Sequence, residues 1–181
     1  MRISIWRAFA PSLLTALILA ALVLAAPVGA SESSRSSSLE ALDESVVAQI
    51  NVVRSSHGLP LVRVSRDLLR SSGGHSHAMA TYGFFAHQSR DGTVFWQRIK
   101  RDYRKAGYRA WSVGETVAFS SDSLDGAGTV RMWMNSPPHR KVLLNPIWRD
   151  VGVSAIRVLS APGVFEGDDV TLVTADFGVR R

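Results

Sequence analysis

Two histidines and one glutamate, widely spread along the chain, are the residues whose chemistry stands out most. They are His87, Glu115 and His139, and they are separated by 28 and 24 residues. Two neutral imidazoles and one carboxylate form a reasonable zinc-ligand set with an open coordination position, the arrangement that activates a water molecule in hydrolases. Spacings this long bring no two of them together through local geometry, so only the overall fold can gather them.

The same three residues also suit two roles that need no metal. Glu115 is a carboxylate in the otherwise apolar row of an alternating segment, 112–119, and a buried carboxylate must find hydrogen-bond donors. A polar network in which Glu115 accepts from both histidines is one alternative, and a ligand-binding cleft is the other. A hydrolase also needs a general base. The sequence assigns no catalytic residue and leaves the acids Asp150, Glu166 and Asp176 unplaced.

The residues around His139 read WMNSPPHRKVLLNP, at 133–146. Ser136 is suited to cap a short helix, and Pro137 fits the first turn because it has no amide hydrogen to leave unpaired. His139 then falls in that first turn, where the helix dipole disfavours the charged ring. A neutral ring is able to coordinate a metal ion or to accept a hydrogen bond.

Hydrophobic spacing predicts the elements that must position these residues. Four segments have the spacing of amphipathic helices, and three have the alternation or composition of strands. The helices are predicted at 39–57, 65–80, 95–106 and 129–135, and the strands at 112–119, 151–159 and 170–177. The last two strands predict a terminal hairpin. Helices followed by an antiparallel sheet indicate an α+β domain.

The first 30 residues have the features of an export signal. Arg2 and Arg7 give a basic start, and an apolar stretch and a small-residue cleavage site follow. The alternative is an uncleaved membrane anchor, because the apolar stretch almost spans a bilayer. We predict a signal peptide at 1–30, a flexible serine-rich linker at 31–38 and one domain at 39–181.

The cysteine count, the net charge and the motif content limit which functions this chain is expected to have. The chain has no cysteine, so neither disulfides nor a lipid-carrying cysteine is available, and the core alone must supply stability. The net charge is +6, or 6 − 2 = +4 without Arg2 and Arg7, which favours contact with an anionic cell envelope. No phosphate-binding glycine loop, zinc-finger spacing or basic-aromatic run is present, so nucleic acid is not an expected partner.

Nine short motifs follow one another along the chain: NVVR (51–54), GLPL (58–61), HSHAMA (75–80), FFAH (84–87), GY (107–108), GET (114–116), WMNSPPHR (133–140), NP (145–146) and DFG (176–178). In this order they resemble the motifs of the bacterial branch of the CAP superfamily. This superfamily, also called the SCP domain, groups cysteine-rich secretory proteins, antigen 5 and pathogenesis-related proteins. The resemblance covers about 44–178, nearly all of the expected mature chain.

The resemblance implies a fold, a location and a site. The fold is an α-β-α sandwich with a small, mainly antiparallel central sheet, and the location is secreted. Many members have a central cleft lined by two histidines and two acids. By motif, His87 and His139 match the histidines and Glu115 the first acid. Ser136 occupies the place of the second acid, as is common in the bacterial branch, and Thr116 replaces the asparagine that usually follows the glutamate.

The remaining histidines and most tryptophans are expected to be structural. His75 matches a family position that we interpret as packing, His77 is expected to face solvent, and His57 suits the carbonyl end of the first helix. Four tryptophans are expected in the core or in the cleft wall: Trp96, Trp111, Trp133 and Trp148.

The sequence therefore predicts a secreted or cell-wall-associated bacterial CAP domain. The first hypothesis is a non-catalytic binding module of the envelope whose cleft holds a lipid, a glycan or a peptide. The second is a metal-dependent hydrolase that uses His87, Glu115 and His139, with zinc as the expected ion. The third is a protein-interaction domain with a vestigial cleft. No membrane span is expected in the mature chain.

Overall fold

The structure, a computed structural model, describes residues 28–181, and their side chains from residue 38 onward. Within this range there are five helices, one short 3₁₀ turn and four strands. The helices are α1 (Val28–Ser56), α2 (Arg66–Tyr82), α3 (Phe95–Asp102), α4 (Gly126–Asn135) and α5 (Pro137–Leu143). The strands are β1 (Arg63–Val64), β2 (Trp111–Ser120), β3 (Asp150–Val158) and β4 (Val170–Arg180). The predicted signal peptide at 1–30 lies outside the described residues, apart from its last three positions.

The first helix is longer than the sequence pattern indicates. α1 begins at Val28, so residues 31–38, which we predicted to be a flexible linker, lie within the helix in this structure. Once a helix has nucleated, each added residue gains a hydrogen bond, and serine costs only a few tenths of a kcal/mol relative to good helix formers. The end of the helix is as predicted, because the left-handed Gly58 stops it after Ser56.

The second and third helices begin where the sequence predicts. α2 follows Ser65, whose backbone is extended but whose side chain makes no capping hydrogen bond. α3 is shorter than the predicted segment 95–106, because Tyr103 leaves the helix and is fully buried. The Tyr103 hydroxyl donates to Asp150 Oδ2 at 2.6 Å, which ties the end of α3 to the start of β3.

The four strands form one sheet in the order β1-β3-β4-β2. β3 and β4 pair antiparallel as the predicted terminal hairpin, and β4 also pairs antiparallel with β2 over its whole length. Only the two-residue β1 runs parallel to its neighbour, β3. β2 is therefore an edge strand, and its register places Glu115 directly opposite Asp176 of β4.

Helices cover both faces of the sheet, as the predicted α-β-α sandwich requires. On one face α1, α4 and α5 pack on the side chains of β4 that include Val173, Ala175 and Phe177. On the other face α2 packs on the alternate residues of β4, which include Leu172 and Thr174, and α3 packs on α2 and on β2. The period of two along β4 sends successive side chains to opposite layers, so the strand is buried on both sides.

One glycine allows α2 to approach the sheet closely. A Cβ added at Gly152 of β3 would lie 2.1 Å from the Leu68 carbonyl carbon in the α2 backbone. Any larger residue would push α2 away from β3. Because α2 and α3 pack together against this face, the close approach also sets the position of α3 beside the edge strand.

Candidate functional site

The structure places His87, Glu115 and His139 at one cleft, although they are distant in sequence. The cleft has a volume of about 420 Å³ and opens at the edge strand β2, between the α2–α3 layer and α5. Apolar residues from both layers form its walls, including Phe95 of α3 and Trp148 after α5. The full lining is His87, Phe95, Ser112, Val113, Gly114, Glu115, Pro138, His139, Lys141, Val142, Asn145 and Trp148.

Glu115 lies at the base of the cleft with both carboxylate oxygens engaged. Its side chain is fully buried, Oε1 accepts a 2.8 Å hydrogen bond from His87 Nδ1, and Oε2 accepts from Arg98. Arg98 reaches the site from α3 and also donates to the His87 backbone carbonyl at 3.3 Å. A carboxylate only accepts, so His87 carries its proton on Nδ1 and directs Nε2 away from Glu115.

The charge of Glu115 is balanced within the protein. Burial alone would raise the pKa of Glu115, but the His87 hydrogen bond and the Arg98 charge outweigh that effect and lower it. An ionised carboxylate beside one guanidinium leaves the base of the cleft close to electrically neutral. The arrangement matches the orienting role of a carboxylate behind a histidine, in which one ring nitrogen is fixed and the other is presented to the site.

His139 faces His87 across the cleft. The ring centroids are 5.6 Å apart and the planes meet at 62°. Burial, followed by the neighbouring His87, lowers the pKa of His139, while Glu115 opposes the shift. The direction of this pKa shift agrees with the neutral ring predicted from the sequence, and burial is its first cause.

Ser136 lies beside the cleft and not at its base. It occupies the position before α5 with an extended backbone, but its side chain makes no capping hydrogen bond. It lines a second hollow of about 210 Å³, which is mostly apolar and includes Phe85, Phe119 and Met132. His139 lines both hollows, so the two are adjacent at this side chain.

A buried arginine holds the helix that carries His139. Arg54, near the end of α1, is fully buried and donates through Nη1 to the carbonyls of Leu143 and Asn145, at 2.7 and 3.0 Å. Its Nε donates to the Pro60 carbonyl at 2.9 Å. These bonds satisfy carbonyls at the C-terminal end of α5, where a helix leaves its last acceptors unpaired.

The cleft wall behind His139 depends on a small residue in β2. The Trp148 indole donates to the Val142 carbonyl at 2.8 Å and stacks near Phe177. A Cβ added at Gly114 would lie 2.8 Å from Trp148 Cζ2, so only glycine lets the indole rest against the strand. The GET motif that contains Glu115 thus also shapes the wall beside it.

The residues that the structure describes do not form a three-ligand metal site. Among residues 38–181, no three His, Asp or Glu side chains converge on a point where an ion would fit. Catalytic zinc sites have three protein ligands and structural sites have four. Glu115 is already bonded to His87 and Arg98, which leaves His87 Nε2 and His139 as the groups able to approach an ion.

Two residues of the site were missed by sequence reasoning. Arg98, which pairs with Glu115, lies in a helix whose pattern only indicated an amphipathic face. Asp176 lies beneath Glu115, fully buried, and its place in the DFG motif was the one available signal. The other two acids that the sequence left unplaced, Asp150 and Glu166, do not line the cleft. Asp150 accepts a hydrogen bond from Tyr103, and Glu166 is exposed in a turn.

The other histidines occupy the environments expected of them. His75 is buried, its Nε2 bonds to the Ala86 carbonyl at 2.8 Å, and burial lowers its pKa. His77 is exposed, and His57 bonds to the Val53 carbonyl at 2.8 Å.

The tryptophan prediction holds for three of the four residues. Trp133 and Trp148 are buried and Trp111 is partly buried, whereas Trp96 is 43% exposed. The prediction was wrong for Trp96 because α3 is short and buries only Arg98 and Ile99.

Comparison with known proteins identifies one matching family and several similar proteins. The model of the CAP, cysteine-rich secretory protein family matches residues 47–161. Two Bacillus subtilis proteins are similar: YkwD, 31% identical over 68% of this chain and 46% of its own length, and the membrane protein YlbC, 29% identical over 64% and 32%. Both are described as uncharacterized. This chain therefore spans less than half the length of either relative.

Solved structures have the same fold. An extracellular SCP-domain protein from Bacillus anthracis is 28% identical, with a TM-score of 0.57 over 76% of this chain and 40% of that one. An outer surface protein from Borrelia burgdorferi is 20% identical, with a TM-score of 0.55 over 75% and 90%. A Staphylococcus aureus cysteine-rich secretory protein is 18% identical, with a TM-score of 0.55 over 75% and 37%. The last two are evidence for the fold alone.

One further observation concerns membranes. None of the helices within residues 28–181 combines the length and the apolar composition that a bilayer crossing requires.

The family match, the sandwich fold and the order of the motifs agree, and the chain belongs to the CAP (cysteine-rich secretory protein) family.

Proposed function

We propose that this protein is a secreted CAP domain of the bacterial cell envelope that binds a ligand in its cleft without catalysing a reaction. The observation that carries the proposal is the combination of an open cleft with a base whose charges are already paired. Arg98 and His87 occupy both oxygens of Glu115, so that carboxylate is not free to activate a water molecule or a nucleophile. The remaining lining of the site consists of two imidazoles, the polar side chains of Ser112, Lys141 and Asn145, and apolar walls.

The shape of the site favours an elongated ligand. The larger hollow lies against 112–115 of β2 and the smaller one against 117–119, and His139 lines both. A ligand that fills both must follow the strand for about 23 Å, at roughly 3.3 Å per residue. A lipid, a glycan or an extended peptide has that shape. Phe85 and Phe119 favour an apolar group in the smaller hollow, and Lys141 favours a polar or anionic group in the larger.

The envelope location has separate support. One of the similar structures, 28% identical to this chain, comes from a protein described as extracellular. Without Arg2 and Arg7 the chain has a net charge of 6 − 2 = +4, which suits an anionic wall or lipid headgroups. Fractionation of the native host, with the protein located by antibody, tests this part directly. Recovery from the cytoplasm would contradict it.

Native mass spectrometry of protein purified from its own envelope tests the binding proposal. We expect a co-purifying ligand with wild type and its loss with Ser112→Trp, because the indole would fill the larger hollow. Ser120→Trp, at the other end of β2 and outside both hollows, is the matched control and should keep the ligand. Wild-type spectra that are repeatedly empty, or equal retention by both variants, would contradict cleft binding.

A metal-dependent hydrolase is the second candidate, favoured by the 5.6 Å approach of the His87 and His139 rings. Zinc titration by calorimetry checks it. A near-stoichiometric site that both His87→Ala and His139→Ala abolish would support a metal, with His77→Ala as the exposed control. Unchanged binding in either cleft variant removes that histidine as a ligand. If the protein binds neither zinc nor a cleft ligand, the remaining hypothesis is a protein-interaction domain with a vestigial cleft.

A further inference from the structure

Two acidic side chains face one another beneath the cleft. Glu115 and Asp176 are directly opposed on the antiparallel strands β2 and β4, where side chains on the same face lie about 4.5–5.5 Å apart at Cβ. Neither is accessible: the Glu115 side chain and the whole of Asp176 have no exposed surface. Buried acids in this arrangement must share the few donors available.

Two nearby donors, His87 and Arg98, are bonded to Glu115 and not to Asp176. Glu115 accepts from His87 and Arg98, whereas neither oxygen of Asp176 has a hydrogen-bond partner among the described residues. The group that Asp176 faces is another carboxyl, which accepts but cannot donate while ionised. A proton on one of the two acids is what turns this contact into a hydrogen bond.

The electrostatics place that proton on Asp176. Burial, and after it the negative charge of Glu115, raises the pKa of Asp176 well above its ordinary value. Arg98 of α3 and the Ser71 hydroxyl of α2 act in the opposite direction but do not outweigh them. Two ionised carboxylates beside a single guanidinium in a fully buried place are strongly unfavourable. His75 of α2 also faces the pair and acts on Glu115.

We propose that Asp176 and Glu115 form a buried carboxylic acid–carboxylate pair in which the Asp176 hydroxyl donates to Glu115 and holds it against His87 and Arg98. Asp176 is therefore a positioning residue, since it touches no ligand and acts through Glu115. The pair keeps the base of the cleft at one negative and one positive charge. This inference concerns how the site is built, and it stands whichever ligand the cleft binds.

Urea unfolding of wild type and Asp176→Asn across the pH range tests the pair, because the amide keeps a donor but does not titrate. A folded pKa above the unfolded one means that stability is greatest below the unfolded pKa, about 4, and falls as the pH rises. We expect the wild-type unfolding constant to rise, relative to the variant, about tenfold per pH unit above about 4, until Asp176 ionises in the folded state. If Asp176 is instead ionised and paired with Arg98, the variant is the less stable protein at neutral pH and the difference disappears in acid.

An infrared measurement on wild type does not depend on whether the variant folds. At about pH 8.5 the carbonyl band of a protonated carboxylic acid should remain, and Asp176→Asn should remove it. Asp43 is the matched control, because burial raises its pKa to about 7 and it is mostly ionised at that pH. Asp43→Asn should therefore leave the band unchanged. Wild type without the band would overturn the proposal.

Discussion

Replacing Arg98 by methionine should lower the free energy of unfolding by about 3–5 kcal/mol, one of the largest losses expected from a single change in this protein. The substitution keeps an apolar stem in α3 but removes the cation that binds Glu115. A fully buried carboxylate would then face Asp176 without a compensating charge. Chemical denaturation at neutral pH measures the loss.

Two companion variants separate this effect from a general weakening of α3. Arg101→Met changes an exposed arginine in the same helix and should alter stability by less than about 0.5 kcal/mol. Glu115→Gln, added to Arg98→Met, removes the unpaired charge and should recover part of the lost stability. Equal losses in the single and double variants would show that Glu115 is not the group that Arg98 stabilises.

Replacing Arg54 by methionine should cost about 3 kcal/mol or more. Three backbone carbonyls, those of Pro60, Leu143 and Asn145, would lose a charged donor in a buried place. The cost is partly offset because the cation itself is desolvated there, as the lowered pKa of Arg54 indicates. Since α5 carries His139, we also expect weaker binding of any cleft ligand. Denaturation and a ligand titration on the same variant measure the two effects.

An exposed arginine supplies the control for Arg54. Arg63 forms a 3.1 Å ion pair with Asp150, but 85% of its side chain is exposed to solvent. Exposed pairs contribute little, so Arg63→Met should change stability by less than about 1 kcal/mol. A loss as large as that of Arg54→Met would mean that the number of charges, and not the buried carbonyl contacts, determines the stability here.

Sequence patterns predicted the elements well because local spacing determines them. The helix at Phe95 and the terminal hairpin follow from periods of 3.6 and 2, and the structure has both. Boundaries were less accurate where tertiary contacts decide them. α3 ends at Asp102 because Tyr103 is drawn into the core, which no helical pattern records.

The site was predictable only in part. Motif order pointed to His87, Glu115 and His139, and these lie at one cleft. The partner of Glu115 was not predictable, because Arg98 reaches it through the packing of α3 beside β2. Asp176 was equally hidden, since its place beneath Glu115 depends on the register between two strands.

These contacts also change the expected role of the glutamate. From its type alone, Glu115 was as suitable a metal ligand as either histidine. In the structure it is the group that orients His87, and its negative charge is compensated by Arg98 before any ligand arrives. The chemistry available to a ligand is therefore that of two imidazoles, the polar groups of Ser112, Lys141 and Asn145, and the apolar walls around them.

The proton position on His87 tests this account most directly. Proton–nitrogen correlation spectra of the histidine rings distinguish the two tautomers, and His87→Ala assigns the signals. The account predicts that the neutral ring carries its proton on Nδ1, bonded to Glu115, with Nε2 bare toward the cleft. A neutral His87 protonated on Nε2 would contradict it, because Glu115 would then neither orient the ring nor have the bond that stabilises its charge.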